Sequence, residues 1–191
     1  MSPRTTAQNE IIREERKAQI LDAALHVFAE EGYHSASVSK VAKRAEISKG
    51  LMYNYFQSKE EVLRALVVDL FEYAMNVLKV DVNETITDER FKEIIELSIF
   101  IPLEEPQRWK LYMSLVFQQD VAELLMAEML PRMGPFMKQM ADYFEGKGYD
   151  DPMAMMRVFS ATLDGIQMHC LLDPTNFPAE TAKEYLIKQF V

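Results

Sequence analysis

Hydrophobic positions recur at helical spacing along almost the whole chain. From about Glu10 to Glu31, Ile20, Leu21, Ala24 and Phe28 share one stripe, and Gly32 ends the helix where glycine can take the left-handed C-cap conformation. Residues 1–9 read as a polar arm carrying Arg4. Ser37 then stands as an N-cap before Val38, Val41, Ala42 and Ala45, spaced i, i+3, i+4, i+7 over about two turns. After the connection Glu46-Ile47-Ser48, Ser48 is placed to cap a second short helix, Lys49 to Phe56. Ser58 and Glu61 form a capping-box pattern that opens a long helix to about Lys79, with Val62, Leu66, Leu70 and Tyr73 on one face. Further helices are expected near 88–100, 106–118, 120–146, 152–172 and 179–190. Pro131 and Pro135 should break or kink the helix at 120–146. No alternation is long enough to build a sheet, so the pattern predicts an all-α protein.

Composition narrows the class. With 191 residues, 49% of them hydrophobic, the chain makes one large or two small folded domains. One cysteine, Cys170, excludes an intrachain disulfide and argues against a cysteine-based zinc site. No run approaches the roughly 18 apolar residues that span a bilayer, and MSPRTTAQNEIIREERK has no apolar signal core. A soluble cytoplasmic protein is therefore expected, with no membrane partner. The formal charge of −9 is unevenly placed: residues 1–60 hold nine Lys/Arg against eight Asp/Glu, residues 61–191 twelve against twenty-two. A local cationic surface on an acidic protein leaves nucleic acid open as a partner.

The two short helices carry the candidate chemistry. An isolated helix of about eight residues is unstable in water, so Val38, Val41, Ala42, Ile47, Met52 and Phe56 must knit both to the first helix. That leaves Ser37, Ser39, Lys49, Gly50, Leu51, Tyr53, Asn54 and Tyr55 on or near the outer surface. Helix, tight turn and helix make a helix-turn-helix, whose second helix can enter the DNA major groove. Lysines neutralise phosphates, tyrosine and serine hydroxyls donate to phosphate oxygens, and Gly50 lets the backbone approach closely. The plain alternative is a solvated charged face on a helical bundle.

QILDAALHVFAEEGYHSASVSKVAKRAEISKG and the following LMYNYFQSKEEVL closely resemble the DNA-binding domain of the TetR/AcrR family of transcriptional regulators. The resemblance covers about Gln19 to Leu63, roughly a third of the chain, and combines several features in fixed order. It implies that Ser37 and Ser39, at the start of the supporting helix, approach backbone or bases. Lys49, Gly50, Leu51 and Tyr53 match the base-reading edge of the recognition helix. Tyr53, Asn54, Tyr55 and Lys59 match phosphate-contacting positions. Leu51 stands where the family often has threonine, which suggests apolar contact with a thymine methyl. Glu46 replaces the glycine common in the family's turn, and a left-handed glutamate there would cost about 1 kcal/mol. Arg4 and Arg13 are open between phosphate or minor-groove contact and a free arm.

The acidic remainder is less explicit. Met126, Met129, Met133, Met137 and Met140 follow one another at steps of three or four, either as plain core or as an adaptable apolar lining. Trp109, Tyr112, Phe117, Met133, Met137, Phe159, Asp164 and His169 are the candidate pocket for a small hydrophobic or aromatic effector. The segment MAMMRVFSATLDGIQMHCLLDP is apolar on two faces: Phe159, Leu163, Ile166 and Cys170 form one stripe, with Met155, Val158, Thr162 and Met168 flanking the other. A helix buried on two sides meets its own core or a second subunit. The resemblance implies the latter, with Phe159, Leu163, Ile166, Cys170 and Tyr185 as interface candidates. His169 and Cys170 point about 100° apart on a helix and make a poor catalytic pair. No metal-ligand cluster or phosphate loop appears, and no cofactor is expected.

The expected organisation is a helix-turn-helix domain over 1–60, with its motif at 37–56, and an effector-binding, dimerising domain over 61–191. The expected function is that of a homodimeric repressor, not an enzyme, on double-stranded DNA with a palindromic operator, released by a small hydrophobic effector. A helical protein-interaction module, or a small-molecule enzyme using Asp164 and His169, would lack operator binding.

Overall fold

The computed structural model describes residues 6–191, apart from the side chains of Thr6, Ala7 and Asp120; Arg4 lies outside them. Among these residues the chain forms nine helices and no strand: α1 (Thr6–Glu31), α2 (Val38–Arg44), α3 (Lys49–Tyr53), α4 (Lys59–Val77), α5 (Asp88–Glu104), α6 (Pro106–Val116), α7 (Gln119–Gly146), α8 (Pro152–Leu172) and α9 (Ala179–Phe190). None is long and apolar enough to cross a membrane. Three expectations are corrected. Residues 6–9 are already helical, so the expected polar arm is shorter than residues 1–9. The second short helix stops at Tyr53 instead of Phe56, because Gln57 turns back and its amide Nε2 donates to the Tyr53 carbonyl at 2.7 Å. Helix α7 runs unbroken through Pro131 and Pro135. Both prolines are exposed, so water can reach carbonyls that lack a helical N–H partner.

The chain divides into two compact units, and α4, α6 and α7 contribute residues to both. The first runs to Leu70 and takes in Leu111–Met129. Within it the expected stripe of α1 is buried, with Ile20, Ala24 and Phe28 fully inaccessible. Val62, Leu63, Leu66 and Val67 of α4 are buried too, as are Leu115 and Val121 from the later segment. Arg64 pairs with Glu60 at 2.8 Å and with Glu128. The unit holding the helix-turn-helix is thus larger than the motif itself.

The second unit comprises Phe71–Lys110 and Leu130–Val191. Here α5 packs on α8 and α9 around an aromatic centre. Phe91 is fully buried and stacks on Tyr143 with ring centroids 4.1 Å apart, while Phe144 and Phe159 meet it at 5.5 and 4.8 Å. Tyr143 donates to the Asp88 carboxylate at 3.0 Å, and Lys147 pairs with the same group at 2.7 Å. The Lys147 ammonium holds the Asp88 carboxyl below the usual carboxylate range. Pro102 lies inside α5 and leaves the Ser98 carbonyl without its helical donor; Gln167 Nε2 of α8 donates to that oxygen at 2.9 Å.

Helix ends are closed by a repeated device. After α2, Glu46 adopts φ 54° and donates to the Lys43 carbonyl, while Ile47 donates to Ala42. After α4, Lys79 at φ 49° repeats the pattern with Asn76, and Val80 bonds Met75. Gly148 at φ 83° repeats it after α7. These are Schellman closures, which require a left-handed residue. Two of the three use a side chain that resists that conformation.

Two outcomes follow. Glu46→Gly relieves the left-handed strain and should raise stability by about 1 kcal/mol; urea unfolding followed by circular dichroism checks this, and a loss of stability would contradict the turn geometry. Phe91→Ala removes the ring at the centre of the second unit and should cost about 3–5 kcal/mol. The same titration should show that unit melting early; an unshifted midpoint would mean Phe91 is not central.

Candidate nucleic-acid interface

Both short helices are set by serine caps at their starts. Ser37 Oγ accepts from Lys40 N at 3.3 Å, and Ser48 Oγ accepts from Leu51 N at 3.1 Å. Ser58 Oγ accepts from Glu61 N at 3.0 Å, but the Glu61 carboxylate takes the N–H of Gln57 at 2.6 Å and not that of Ser58. The box therefore reaches one residue further back and closes the α3–α4 turn. At the end of α2, Gln19 Nε2 of α1 donates to the Ala45 carbonyl at 2.8 Å. Val41, Ala42, Ala45, Met52 and Phe56 are buried, whereas Val38 and Ile47 are half-buried.

Inward anchoring of Met52 turns the other side of α3 outward. Ser37, Ser39, Lys49, Gly50 and Asn54 are exposed, Leu51 and Tyr53 show 36% and 39% of their surface, and Tyr55 is half-buried. Lys49 Nζ lies 5.9 Å from the Tyr53 ring centre. Arg13 of α1 extends its guanidinium to 6.0 Å from the Tyr55 ring, which brings a second cation to the edge of this surface. A methyl group at Gly50 would meet Ser48 Oγ no closer than 4.0 Å, so the small residue leaves open surface and no steric demand of the fold explains it.

Lys40 and Arg44 of the motif, and Lys59 just after it, serve the fold. Lys40 pairs with Glu31, and Arg44 pairs with Glu30 at 3.1 Å, fastening α2 to the end of α1. Lys59 is the larger departure from expectation. Its ammonium donates to the carbonyls of Tyr33, His34 and Ala36 at 2.7, 3.1 and 3.1 Å, and lies 4.4 Å from the Tyr33 ring centre. An ammonium has three protons, and all three are committed. In this structure Lys59 clamps the loop that leads into α2 instead of presenting a free charge to phosphate.

The remaining candidates are divided between the two units. Tyr112 and Phe117 belong to the first unit, and Phe117 is 76% exposed; Trp109, Met133 and Met137 belong to the second and are half-buried. Phe159 is 1% exposed and forms part of the second unit's core, so it cannot line an open pocket. His169 is exposed and stacks on Phe177 with centroids 5.8 Å apart. Asp164 lies on the outward side of α8, where neighbouring atoms still displace enough water to raise its carboxyl above the ordinary range.

The interface candidates need a similar correction. Phe159, Leu163 and Cys170 are buried in the second unit's own core, with Ile166 packed against it. A side chain already enclosed there has no surface to offer a second subunit. The outward stripe of α8 holds Val158, Thr162 and Met168 of the flanking set together with Ala161 and Leu172, all exposed, while Met155 is half-buried; Tyr185 of α9, the remaining interface candidate, is exposed. The two-faced apolar pattern contained both stripes; nothing in it said which faced inward.

Residues 20–66 match the family model described as bacterial regulatory proteins, tetR family. A curated relative, the fatty acid metabolism regulator protein of Bacillus subtilis (strain 168), is 41% identical over 69 residues, 36% of this chain and 36% of that protein. The match thus spans about a third of that relative's length. Among solved structures, the fatty acid degradation regulator FadR from Bacillus halodurans superposes with TM-score 0.69 at 23% identity, over 92% of this chain and 94% of that one. The transcriptional regulator FadR from Bacillus subtilis in complex with stearoyl-CoA superposes with TM-score 0.67 at 20% identity, over 89% and 97%. These structural likenesses show the fold, and the family-model match falls on α1 to α4, which build the helix-turn-helix. Residues 20–66 thus match the tetR family of bacterial regulatory proteins, and the chain shares the fold of these solved regulators.

Proposed function

We propose that this protein is a cytoplasmic, ligand-responsive transcriptional regulator, a homodimeric repressor that leaves a palindromic operator when it binds a small hydrophobic effector. The observation that carries the reading is the outward strip Lys49, Gly50, Leu51 and Tyr53 on a five-residue helix whose opposite side is anchored by buried Met52. Such a strip is short and faces outward, as a base-reading edge must. Ser37, Ser39, Asn54 and Tyr55 flank it with hydroxyl and amide donors for phosphate oxygens. Lys59 contributes by holding the loop before α2, and Arg13 takes the place of a flanking cation. DNA binding falls to residues 1–60, and effector binding and dimerisation to residues 61–191.

Dimerisation is supported by the outer stripe of α8. Val158, Met168 and Leu172 are 54%, 41% and 73% exposed, and Tyr185 of α9 is 69% exposed. Ala161 and Gly165 between them permit close helix approach. Two-fold symmetry then asks for half-sites about one helical turn or slightly more apart. For the effector, the relatives' link to fatty acid metabolism and the stearoyl-CoA bound to one of them favour an acyl chain. The half-buried Met133 and Met137, with their adaptable thioethers, suit such a guest. Release requires only that the effector bind the non-matching conformation more tightly.

Selection of sheared genomic DNA by the purified protein, with bound fragments sequenced at two salt concentrations, should recover a palindrome whose affinity falls steeply with salt. Sequence-blind recovery would refute the reading. On the recovered operator, Tyr53→Phe should weaken binding by about tenfold, the loss of one hydrogen bond to a charged group, without changing the oligomeric state. Val158→Asp should convert the dimer to monomer in sedimentation while circular dichroism stays helical; a persistent dimer would move the interface elsewhere. Stearoyl-CoA added to the operator complex should release the DNA if an acyl chain is the effector, and an unchanged complex removes that choice.

A further inference from the structure

Gln118 belongs to neither α6 nor α7 yet is fixed by both. Its N–H donates to the Leu115 carbonyl at 3.1 Å, and its own carbonyl accepts from Ala122 N at 2.9 Å. The backbone thus finishes one helix and caps the next, leaving the side chain at a defined point in space. From there its amide reaches residues 85 and 90 positions earlier in the sequence. Oε1 accepts the Tyr33 N–H at 2.6 Å, and Nε2 donates to the Phe28 carbonyl at 2.9 Å and the Ser114 carbonyl at 3.3 Å. Phe28 and Tyr33 bracket Gly32, which takes φ +81° at the end of α1; a methyl group built there would stand 4.0 Å from Gln118 Oε1.

Tyr33 is held from its other end as well. Its carbonyl accepts from Lys59 Nζ at 2.7 Å, and its ring meets Phe28 edge-on at 5.3 Å. Tyr33 is therefore gripped at its N–H by the α6–α7 corner and at its carbonyl by the start of α4. Only His34, Ser35 and Ala36 separate it from Ser37, the N-cap of α2, which is too short a tether for the two to move independently. A helix of seven residues cannot choose its own position; its entry point does much to choose it. Helix α2 in turn carries α3 through the closure of Ile47 on Ala42.

We propose that Gln118 is a positioning residue for DNA recognition: its two-ended amide holds the Phe28–Tyr33 corner so that α2, and α3 with it, is presented in the orientation that reads the operator. The proposal rests on the regulator reading above. It adds that operator preference depends on a side chain far outside the helix-turn-helix, at the junction of two helices of the later segment. A movement of that junction would pull on the Tyr33 N–H, and so on the entry to α2, without touching any group that meets DNA.

The test compares the full-length protein with Gln118→Ala and Gln118→Glu. Exchange of the Tyr33 amide, read by NMR on the free protein, should quicken about tenfold in Gln118→Ala, in line with the loss of one hydrogen bond. In Gln118→Glu it should stay slow, because a carboxylate still accepts from that N–H. The ratio of affinities for operator and for an unrelated duplex should fall about tenfold in Gln118→Ala, with the salt slope unchanged because no phosphate contact is lost. Equal weakening on both duplexes, or a Tyr33 amide as protected as before, overturns the proposal. If the unaltered protein shows no operator preference, the regulator reading fails and this one with it. Preference retained in both the unaltered protein and Gln118→Ala defeats this inference alone.

Discussion

The N-terminal unit depends on holding two helices of seven and five residues that have almost no stability of their own. Burial of one side of each supplies that hold. Val41, Ala42, Ala45, Met52 and Phe56 are sunk to 3% exposure or less, and the turn between the helices is closed by backbone bonds from Glu46 and Ile47. With the inner side fixed by packing, the outer side needs no role in the fold. Lys49, Gly50, Leu51 and Tyr53 are therefore available for recognition. Their orientation is inherited from Met52 and from the loop that delivers α2.

Charge is divided between two tasks. Lys40 and Arg44 are tied to the acidic end of α1, and Lys59 to three loop carbonyls. These are short-range fastenings between neighbouring elements, and they leave Lys49 and Arg13 beside the two tyrosines of the outer surface. The second unit uses cations in the same way. Arg90 donates to the Leu78 and Lys79 carbonyls at the end of α4 and pairs with Glu93 at 2.6 Å, while Lys147 joins Asp88 to the Val191 carbonyl. In both units a long side chain satisfies carbonyls that a helix end or loop leaves open.

Prolines and left-handed residues show how local conflicts are absorbed. Pro102 removes a donor inside α5, and Gln167 replaces it from another helix. Pro131 and Pro135 remove donors on an exposed part of α7, where solvent can take the carbonyls, and the helix continues. Glu46 and Lys79 accept a conformation that glycine would take more easily, because the Schellman closure satisfies two carbonyls each time. Each conflict is visible in the chain as a residue at odds with its element. Only for Pro102 does the resolution come from another helix, through a partner that local sequence does not name.

Spacing and N-cap chemistry determined the order of the nine helices among the described residues, the serine caps at Ser37, Ser48 and Ser58, and the burial of Val41, Ala42, Met52 and Phe56, though not of the half-buried Val38 and Ile47, because both act over a single turn. They also left Lys49, Gly50, Leu51, Tyr53, Asn54 and Tyr55 as the candidate recognition surface, since Met52 is the side chain this short helix turns inward. Tertiary structure decided matters that depend on distant partners. It showed which stripe of α8 faces the core, a choice two apolar faces cannot settle. It turned Lys59 from a free charge into a loop clamp, because its three acceptors lie 23 to 26 residues earlier. It brought Gln118 to Tyr33 across 85 residues, a contact for which a lone glutamine between two helices carries no periodic signal.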